Sequence, residues 1–365
     1  MSPEPSATRL LASDLSDHSD AVEGPLCGYH HETYAFPLSP EAGADFKGRW
    51  KIREPREELL WFDRRCFKSE YELLYLLQRR IDVIPEVAPV GGVDLQRFVE
   101  GVTLGERHPS GKAVPGAVFE QILELFRQLI AVTSSDTLLV KRSCNPMDRA
   151  PEGNSEKFLE RLIVFTQERV YKRNLRKYKG LFTDLGIGPN SFEYLRKHVD
   201  GLTKRPFCLL HADLHRENFI LDSAGKVWAI DWELAMLGDP LYDLATHLHL
   251  MRYPARQERE IIQRWRVIAE EVREGSSEGW FEDLPRLRDY KKAQSLFTDV
   301  IRETQSLVVE GGFDARRLRE ASSKVRDVHR AAAEPLGLTS RPSLSEIEAA
   351  ILRWDEDRKR RADGT

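Results

Sequence analysis

The sequence has few cysteines and no long apolar run, and these absences exclude whole classes of protein. Its 365 residues include four cysteines that lie far apart, without a C-x-x-C pair. This spacing indicates neither a zinc site nor a disulfide framework. No stretch approaches the ~20 apolar residues of a membrane span. The first residues lack the charged-then-apolar order of a secretory signal, so we expect a cytoplasmic protein with a mobile polar tail over residues 1–24.

A basic excess is also missing. The formal net charge is -4, whereas a general nucleic-acid-binding domain is normally basic. Hydrophobic residues make up 41% of the chain, which is enough for a large core in one two-lobed unit or in two domains. We therefore expect a small-molecule partner, with neither nucleic acid nor membrane bound, and the oligomeric state stays open.

The most informative stretch is Leu209–Tyr242, where polar residues follow two apolar runs at a fixed spacing. His211, Asp213 and Asn218 form an H-x-D-x-x-x-x-N pattern, and Asp231 follows the second run. This is the pattern of a catalytic loop and a metal loop in phosphoryl transfer, where the protein mainly positions the acceptor and holds magnesium ions on the phosphates. Asp213 is then the catalytic base that orients an acceptor hydroxyl, and Asn218 and Asp231 are the Mg²⁺ ligands.

The residues between the two loops predict a β-hairpin. Phe219–Asp222 and Val227–Ile230 are typical of short strands, and residues 223–226 between them are turn formers. A hairpin of this length brings Asn218 and Asp231 to the same end of two paired strands. Both side chains can then reach one magnesium cluster.

Three runs in this region, HADLHRENFILD, AIDWE and LGDPLYDLA, resemble the aminoglycoside phosphotransferase and choline kinase-like family. The departures are Ala212, where the family more often has Gly, and Arg216-Glu217, where small residues or Pro-Gly are commoner. The resemblance implies a two-lobed, protein kinase-like α+β fold. A small N-terminal lobe over residues 25–101 would hold an antiparallel sheet and one helix, and a larger, mostly helical lobe would cover residues 102–365. It also implies ATP or GTP as co-substrate, with Mg²⁺, and Asp243 as an anchor of the catalytic loop.

The resemblance also suggests nucleotide-binding residues near the N-terminus. Residues 28–38 predict a strand, a turn and a strand where the family covers the nucleotide phosphates, and His31 stands at a position that is often Asn. Gly28 is the glycine of this loop. A surface hairpin is the alternative, because a single glycine is a weak signal.

The next extended segment carries the candidate phosphate-binding cation. Lys51 lies between the apolar residues Trp50 and Ile52, which face the opposite side of a strand, while Arg49 and Arg53 share its face. In kinases the strand lysine pairs with a helix glutamate. The resemblance selects Glu70 on a helix predicted over residues 63–80, and the same helix carries Glu72 as the alternative partner.

The stretch from Gln96 to Leu104, which includes Phe98, resembles the family's hinge, where backbone groups hold the adenine edge. Amphipathic patterns predict helices over residues 117–134, 155–176, 191–199, 240–251, 255–274 and 291–310. The highly charged end from Trp354 to Thr365 predicts fraying.

The acceptor is the least determined part of the prediction. Amine-bearing acceptors favour acidic side chains, for which the candidates are Glu258, Glu260, Glu270, Glu271, Glu282 and Asp283. Trp280 and Phe281 next to the last two would suit an ammonium group, or they are core anchors. The hypothesis is transfer of a γ-phosphoryl group to a hydroxyl of an aminoglycoside-like or other amine-bearing natural product. The alternatives are a choline, homoserine or sugar kinase of the same fold and a nucleotide-binding pseudokinase.

Overall fold

The structure is a computed structural model, and it describes residues 6–16, 18–26, 31–43, 46–55, 60, 62–309 and 312–363. Its N-terminal part is built on one antiparallel sheet with the strand order β1-β2-β3-β5-β4. The five strands are β1 (Glu23–Leu26), β2 (His31–Pro37), β3 (Arg49–Pro55), β4 (Val87–Val90) and β5 (Val93–Arg97).

Strand alternation gives this sheet two chemically different faces. Trp50 and Ile52 of β3 are buried in a small core with Leu95 of β5. Helix α1 (Ala7–Leu15) covers this face, and its Ala12 is fully buried there. Lys51 lies opposite Gln96 in the register, so both belong to the other face.

Helix α1 corrects the expectation of a mobile tail over residues 1–24, at least for residues 7–15. The Ser6 hydroxyl caps the helix by accepting a hydrogen bond from the backbone N–H of Arg9 at 3.3 Å. The Thr8 hydroxyl also donates to Glu54 of β3 at 3.0 Å. The sequence did not indicate this helix because its composition is mostly polar. Ala12, Leu15 and a few neighbours are the residues that face the sheet.

Helix α3 (Glu70–Leu77) is shorter than predicted, because it begins at the Ser69 cap rather than at Asp63. The Ser69 hydroxyl accepts a hydrogen bond from the N–H of Glu72 at 3.2 Å. Residues 63–68 instead form an irregular segment that pairs with the C-terminal part, through a bridge between Phe67 and Arg142.

The rest of the chain is mostly helical, with short strands at its centre. The helices are α2 (Pro40–Gly43), α4 (Leu104–Arg107), α5 (Gly116–Ala131), α6 (Ser155–Phe165), α7 (Arg173–Asp184), α8 (Asn190–Arg196), α9 (Pro240–Met251), α10 (Ala255–Val272), α11 (Trp280–Gln305), α12 (Leu318–Ala332) and α13 (Leu344–Asp363). The strands are β6 (Val102–Thr103), β7 (Cys208–Leu210), β8 (Phe219–Leu221), β9 (Val227–Ala229), β10 (Met236–Gly238), β11 (Val308–Val309) and β12 (Gly312–Phe313).

Most predicted helices are present, and they differ from the prediction in their ends and in one π-helical stretch. A π-helical stretch, Thr166–Lys172, joins α6 to α7. Helix α11 begins at Trp280, well before the predicted residue 291. The predicted fraying after Trp354 is wrong for the residues described: α13 continues to Asp363, and Trp354 is buried and stacks on Tyr178 at 5.3 Å.

Two further expectations concern the whole chain. Cys66, Cys144 and Cys208, the cysteines within the described ranges, are free thiols. Of the helices in that part of the chain, none combines the length and the apolarity needed to cross a bilayer.

Candidate active site

The catalytic loop begins at the end of β7, and hydrogen bonds connect it to α9. One carboxylate oxygen of Asp243 accepts a hydrogen bond from the backbone N–H of His211 at 3.1 Å, and the other accepts from Ala212 at 2.8 Å. Burial raises the pKa of Asp243 to about 6, although these two donors oppose the shift. The predicted anchoring role of Asp243 is confirmed.

Ala212 departs from the family pattern at a position with an unusual backbone. Its φ angle is +65°, in the left-handed region that favours glycine. For a residue with a Cβ this conformation costs about 1–2 kcal/mol. The hydrogen bond from Ala212 to Asp243 holds the loop in place despite this cost, which explains how alanine replaces glycine here.

His211 links the catalytic loop to the metal loop and does not titrate near neutral pH. Its ring is fully buried, packs on Trp232 with ring centroids 4.6 Å apart, and its Nε2 lies 3.1 Å from the carbonyl oxygen of Ile230. Burial lowers the pKa of His211 to about 4. The neutral imidazole is therefore a positioning group.

Asp213 is oriented by Asn218 from the same loop. The side-chain amide of Asn218 donates to the Asp213 carbonyl at 2.9 Å and to its carboxylate at 3.1 Å. His215 lies 3.4 Å from the same carboxylate. Burial acts to lower the pKa of His215, but the contact with Asp213 outweighs it and raises that pKa. The carboxylate of Asp213 keeps 19% side-chain exposure, so an acceptor can reach it.

The loop's second departure from the family, Arg216-Glu217, is compensated by tertiary contacts. The buried Arg216 guanidinium donates to the backbone carbonyls of Met251 at 3.0 Å, His108 at 2.5 Å and Lys112 at 2.8 Å. The Glu217 carboxylate accepts from the Thr103 hydroxyl at 2.7 Å. These contacts attach the loop to its surroundings where the family commonly uses small residues.

The predicted hairpin is confirmed as β8 and β9, whose register pairs Phe219 with Ala229. Beyond that pair, the N–H of Ile230 donates to the carbonyl of Asn218 at 2.9 Å. Asn218 and Asp231 therefore stand at the same end of the two strands, as the spacing predicts. Asp231 has a φ of +65°, which turns the chain sharply into the metal loop.

Arg53, rather than Lys51, pairs with Glu70, which corrects the predicted partnership. The Arg53 guanidinium forms an ion pair with Glu70 and lies 3.2 Å from the Asp231 carboxylate. The other Glu70 oxygen accepts from the backbone N–H of Trp232 at 3.0 Å. Glu70 therefore connects α3 to the metal loop, but its cation partner is Arg53. Arg53 takes the pairing role because it stands two residues further along β3, towards the metal loop.

This arrangement also controls the charge of the metal-loop aspartate. Burial acts to raise the pKa of Asp231, but the Arg53 guanidinium outweighs it, so that pKa is lowered. Asp231 therefore stays ionised at neutral pH. Its side chain keeps 32% exposure, more than the 9% and 8% of Arg53 and Glu70. The Asp231 carboxylate is thus the accessible end of an ion-pair network whose other members, Arg53 and Glu70, are buried.

The side chains of Lys51 and Gln96 share a face of the sheet and keep unused binding capacity among the described residues. Within these ranges Lys51 forms no ion pair, and burial together with the nearby Arg53 lowers the pKa of Lys51 to about 7. Gln96 is 1% exposed, and its buried side-chain Nε2 has no hydrogen-bond partner in the described part of the chain. A buried donor without an acceptor is costly. Both groups have binding capacity left for a nucleotide, although their predicted contacts with it stay predictions.

The structure describes two of the other predicted nucleotide residues, His31 and Phe98. His31 begins β2, and its Nε2 lies 3.5 Å from Glu233 in the metal loop. Phe98 donates its N–H to the Arg49 carbonyl at 2.9 Å, and the Arg49 guanidinium lies over its ring. Gly28 lies outside the described residues. The roles of His31, Phe98 and Gly28 stay predictions.

The donor set at the hairpin end fits Mg²⁺. Both Asn218 and Asp231 offer hard oxygen donors, and the Asn218 amide nitrogen already faces Asp213, which directs its oxygen elsewhere. In the described part of the chain, no cluster of three or more His, Cys, Asp or Glu side chains forms a self-sufficient metal cage. Magnesium in kinases is held by one or two protein side chains together with substrate phosphates and water. Two donors are therefore an adequate set.

The acidic residues considered for an amine-bearing acceptor do not assemble into a pocket. Asp283 is buried and forms an ion pair with Arg205 at 2.7 Å, and Glu258 pairs with Arg288 at 2.8 Å. Glu270 caps the turn at Gly275 instead. Phe281 is 70% exposed, so it is not a core anchor either.

Comparisons with known proteins agree with this geometry. The macrolide 2'-phosphotransferase MphH from Brachybacterium faecium is 16% identical and matches with a TM-score of 0.51, over 92% of this chain and 98% of that one. A thermostable mutant of aminoglycoside phosphotransferase APH(4)-Ia, in complex with AMP-PNP and hygromycin B, is also 16% identical, with a TM-score of 0.51 over 90% and 99%. At this identity the likeness establishes the fold, and the predicted kinase-like α+β class is confirmed. A search of the curated proteins gives no match.

A family model described as "Phosphotransferase enzyme family" matches residues 68–290. The matched region contains Glu70, the catalytic loop, the hairpin and the metal loop. It spans well over half of the chain, and the chain therefore belongs to this phosphotransferase family.

Proposed function

We propose that the protein is a magnesium-dependent small-molecule kinase that transfers the γ-phosphoryl group of ATP or GTP to a hydroxyl group. One observation carries the proposal. Asp213 and Asn218 are hydrogen-bonded, Asn218 is joined to Ile230 beside Asp231, and Asp231 is paired through Arg53 to Glu70. A candidate base, two candidate oxygen ligands for a metal and the Arg53 guanidinium are thus connected through contacts at one end of the hairpin. Phosphoryl transfer requires groups of these kinds close together.

The chain's own groups have distinct tasks in this reaction. Asp213 accepts a hydrogen bond from the acceptor hydroxyl and orients its oxygen towards the γ-phosphorus, while Asn218 keeps the Asp213 carboxylate in one orientation. Because the transition state of such transfers is loose, the hydroxyl proton leaves late. Asp213 therefore mainly positions the nucleophile and takes the proton as the new P–O bond forms.

Asn218 and Asp231 would hold Mg²⁺, which neutralises charge on the phosphates when bound. Arg53 and Glu70 keep Asp231 ionised and fix its direction before the nucleotide arrives. Such preorganisation removes a reorganisation cost from the chemical step. A bound phosphate would raise the pKa of Lys51 again, so that Lys51 contacts the phosphates as a cation.

The acceptor is open at this level, and candidate classes differ in charge. Aminoglycoside-like compounds and choline are cationic, macrolides carry an amine, and sugars are neutral. Four of the six acidic candidates, Glu258, Glu270, Glu271 and Asp283, already bind other groups of the protein, which weakens the expectation of an amine-bearing acceptor.

The direct test is ADP release measured with ATP and with GTP across hygromycin B, a macrolide, choline, homoserine and neutral and acidic sugars. We expect release above background with at least one acceptor, only when Mg²⁺ is present, and a phosphorylated product in the ³¹P NMR spectrum. A protein that binds nucleotide but gives no release with any acceptor would be a pseudokinase, and the proposal would be wrong.

A further inference from the structure

A large cavity of about 750 Å³ opens beside the metal loop. Arg65 joins the two regions, because it lines the cavity and forms an ion pair with Glu233, two residues after Asp231. Asp63, another lining residue, accepts a hydrogen bond from the Tyr242 hydroxyl at 3.1 Å. Tyr242 directly precedes the residue that anchors the catalytic loop. Two of the cavity's lining residues thus contact side chains that neighbour the proposed metal ligand and the loop anchor in the sequence.

One wall of this cavity is strongly basic. Arg169, Arg173, Arg176 and Lys177 line it from the π-helical stretch and α7, and we call these four residues the basic helix face. Their spacing of four, three and one residues puts them on one side of a helix. Residues 169–179 contain six lysines and arginines and no acidic residue.

The positive charge of the basic helix face is not neutralised by ion pairs with the described residues. Across the described ranges, none of its four residues forms an ion pair. Lys172, on the same helix but outside the cavity, shows the usual arrangement and pairs with Glu168 at 2.8 Å. All four side chains are solvent-exposed, so their charge is available to a ligand.

Among the described residues, the acidic side chains of the cavity do not balance this charge. That part of the lining contains six cationic residues, with Arg64 and Arg65 added to the basic helix face, and two acidic ones, Asp63 and Asp148. Asp63 is buried and already accepts hydrogen bonds from Tyr242 and from the side chain of Gln294 at 3.2 Å. The described lining of the cavity is therefore net cationic, and Arg65 connects it to the metal loop.

The backbone supports a functional reading of this wall. The π-helical stretch that carries Arg169 interrupts an otherwise continuous helix from residue 155 to residue 184. π-Turns have poorer hydrogen bonding than α-turns and occur frequently at functional sites. Here the stretch changes the helical phase just where the basic residues turn towards the cavity.

We infer that this cavity binds an anionic group of the acceptor, so that the substrate is a hydroxyl-bearing small molecule with a phosphate or carboxylate group and not an amine. The inference rests on the proposed kinase activity. Arginine forks bind planar or tetrahedral oxyanions through paired hydrogen bonds, and several arginines on one helix face suit such a group. The same cations would offset the repulsion between an anionic acceptor and the nucleotide's phosphates, and they would repel an ammonium group.

The opposing explanation is that these residues form a solvated surface that serves solubility only. The two explanations differ in what loss of the charges does. If the face serves solubility only, removing its charges leaves acceptor binding unchanged. If it binds the acceptor, removing its charges raises the acceptor's KM and leaves kcat nearly unchanged.

The test compares acceptors of one scaffold that differ in charge: glucose, glucosamine, gluconate and glucose 6-phosphate, and in parallel glycerol, glycerate and glycerol 3-phosphate. ADP release is measured at constant ionic strength for the wild type and for the cavity variant Arg173→Gln/Arg176→Gln. The matched control is Lys172→Gln/Lys179→Gln, which removes two charges from the same helix outside the cavity. Binding of inorganic phosphate to all three proteins is measured separately by calorimetry.

We expect an acidic member to be the preferred acceptor in at least one scaffold. Its KM should rise roughly tenfold or more in the cavity variant, with kcat within about twofold and no change in the control. Phosphate should bind about tenfold more weakly to the cavity variant than to the control. Comparing turnover of gluconate with turnover of glucose 6-phosphate then shows whether the enzyme prefers a carboxylate or a phosphate on the acceptor.

Three results are distinguishable. Preference for glucosamine or a neutral sugar, with KM unchanged in the cavity variant, overturns the inference and leaves the kinase activity standing. Equal phosphate binding by the cavity variant and the control also overturns it. Absence of ADP release with every acceptor, including those of the wider panel above, overturns the proposed function, and the phosphate titration then still decides whether the cavity is an anion site.

Discussion

The catalytic hairpin and the basic helix face treat charge in opposite ways. Around the hairpin, polar groups are already bound to one another: Asn218 to Asp213, Arg53 to Glu70 and Asp231, and two backbone N–H groups to Asp243. On the basic helix face the guanidinium groups are exposed and, among the residues described, form no ion pair.

The difference distinguishes reacting groups from recognition groups. A reacting group gains from being fixed before the substrate arrives, since it then needs no reorganisation at the moment of reaction. A recognition group must keep its hydrogen-bonding capacity for the ligand. Substitutions in the hairpin should therefore change kcat, whereas those on the helix face should change KM. The predictions below test the hairpin side of this comparison.

The largest effect is expected at Asp231. Asp231→Asn should abolish magnesium-dependent turnover, a loss of roughly 10⁴-fold or more, because it removes the only anionic protein donor proposed for the metal. The measurement is ADP release at saturating Mg²⁺, with circular dichroism to check the fold. Near wild-type turnover at saturating Mg²⁺ would show that Asp231 is misassigned.

A smaller loss is expected at Asp213. Asp213→Ala should lower kcat by about 10² to 10⁴-fold, as is typical of a positioned acid or base, while nucleotide affinity changes little. Single-turnover kinetics and ADP binding by calorimetry separate the two quantities. If the variant loses nucleotide binding instead, Asp213 acts on the nucleotide and not on the acceptor.

Two cations on β3 provide the sharpest comparison within the hairpin's surroundings. Arg53→Ala should reduce kcat/KM for nucleotide by about 10 to 10²-fold more than Lys51→Ala, since only Arg53 orients both Glu70 and Asp231. Arg53→Lys keeps one of these contacts and should be intermediate. A larger loss from Lys51→Ala would restore Lys51 as the principal cation of the site.

Lys51 predicts a pH-dependent stability in the nucleotide-free protein. Its folded pKa of about 7 lies below the ordinary 10.5, so between these values the unfolded chain binds a proton that the folded chain does not. Stability due to this group therefore rises as pH increases from 7 to 10.5. Lys51→Met should stabilise the protein by at least about 1 kcal/mol at pH 7 and by less at pH 9.5.

This effect is measured by thermal unfolding in EDTA at the two pH values. Lys68→Met, at another lysine of the N-terminal part, is the control for removing one lysine, and the effect of Lys51→Met is taken as the difference from it. An equal gain from Lys51→Met at both pH values would show that the lysine is solvated and not desolvated in the cleft.

The smallest effect is expected at Ala212. Ala212→Gly relieves the left-handed strain of about 1–2 kcal/mol, but glycine gains entropy in the unfolded chain, so the net change should stay within about 1 kcal/mol. Urea unfolding measures it, and turnover should be unchanged. Ala212→Val, with a branched side chain at a buried site, should be clearly destabilising, and its tolerance would argue against the observed backbone.

Local spacing was sufficient to predict the hairpin side of the site. The H-x-D-x-x-x-x-N pattern, the turn at 223–226 and Asp231 lie within one short stretch, where chain geometry leaves little freedom. The strands β8 and β9 therefore form at the predicted place, and α9 begins and ends as predicted. Asp243, twelve residues after Asp231, could also be assigned because its helix follows directly.

Residues that meet across long sequence distances could not be assigned in the same way. Lys51 and Arg53 share one strand face, and only the position of β3 relative to α3 and the metal loop selects Arg53 as the partner of Glu70. The stretch that contains most of residues 169–177 was predicted only as part of a helix, because nothing local indicates that its basic residues line one cavity with Arg65. Helix α1 was missed because its apolar residues are few until the sheet covers them.

The sequence by itself determined the family, the fold class and the order of reacting groups along the catalytic loop, since each depends on residues within a few positions of one another. The tertiary structure decided which cation reaches Glu70 and Asp231, how Arg216 replaces a small loop residue, and that the wall beside the metal loop is cationic. The physical reason is the range of the interactions involved: hydrogen bonds of a turn are set by neighbouring residues, whereas ion pairs and cavities are set by how distant segments pack.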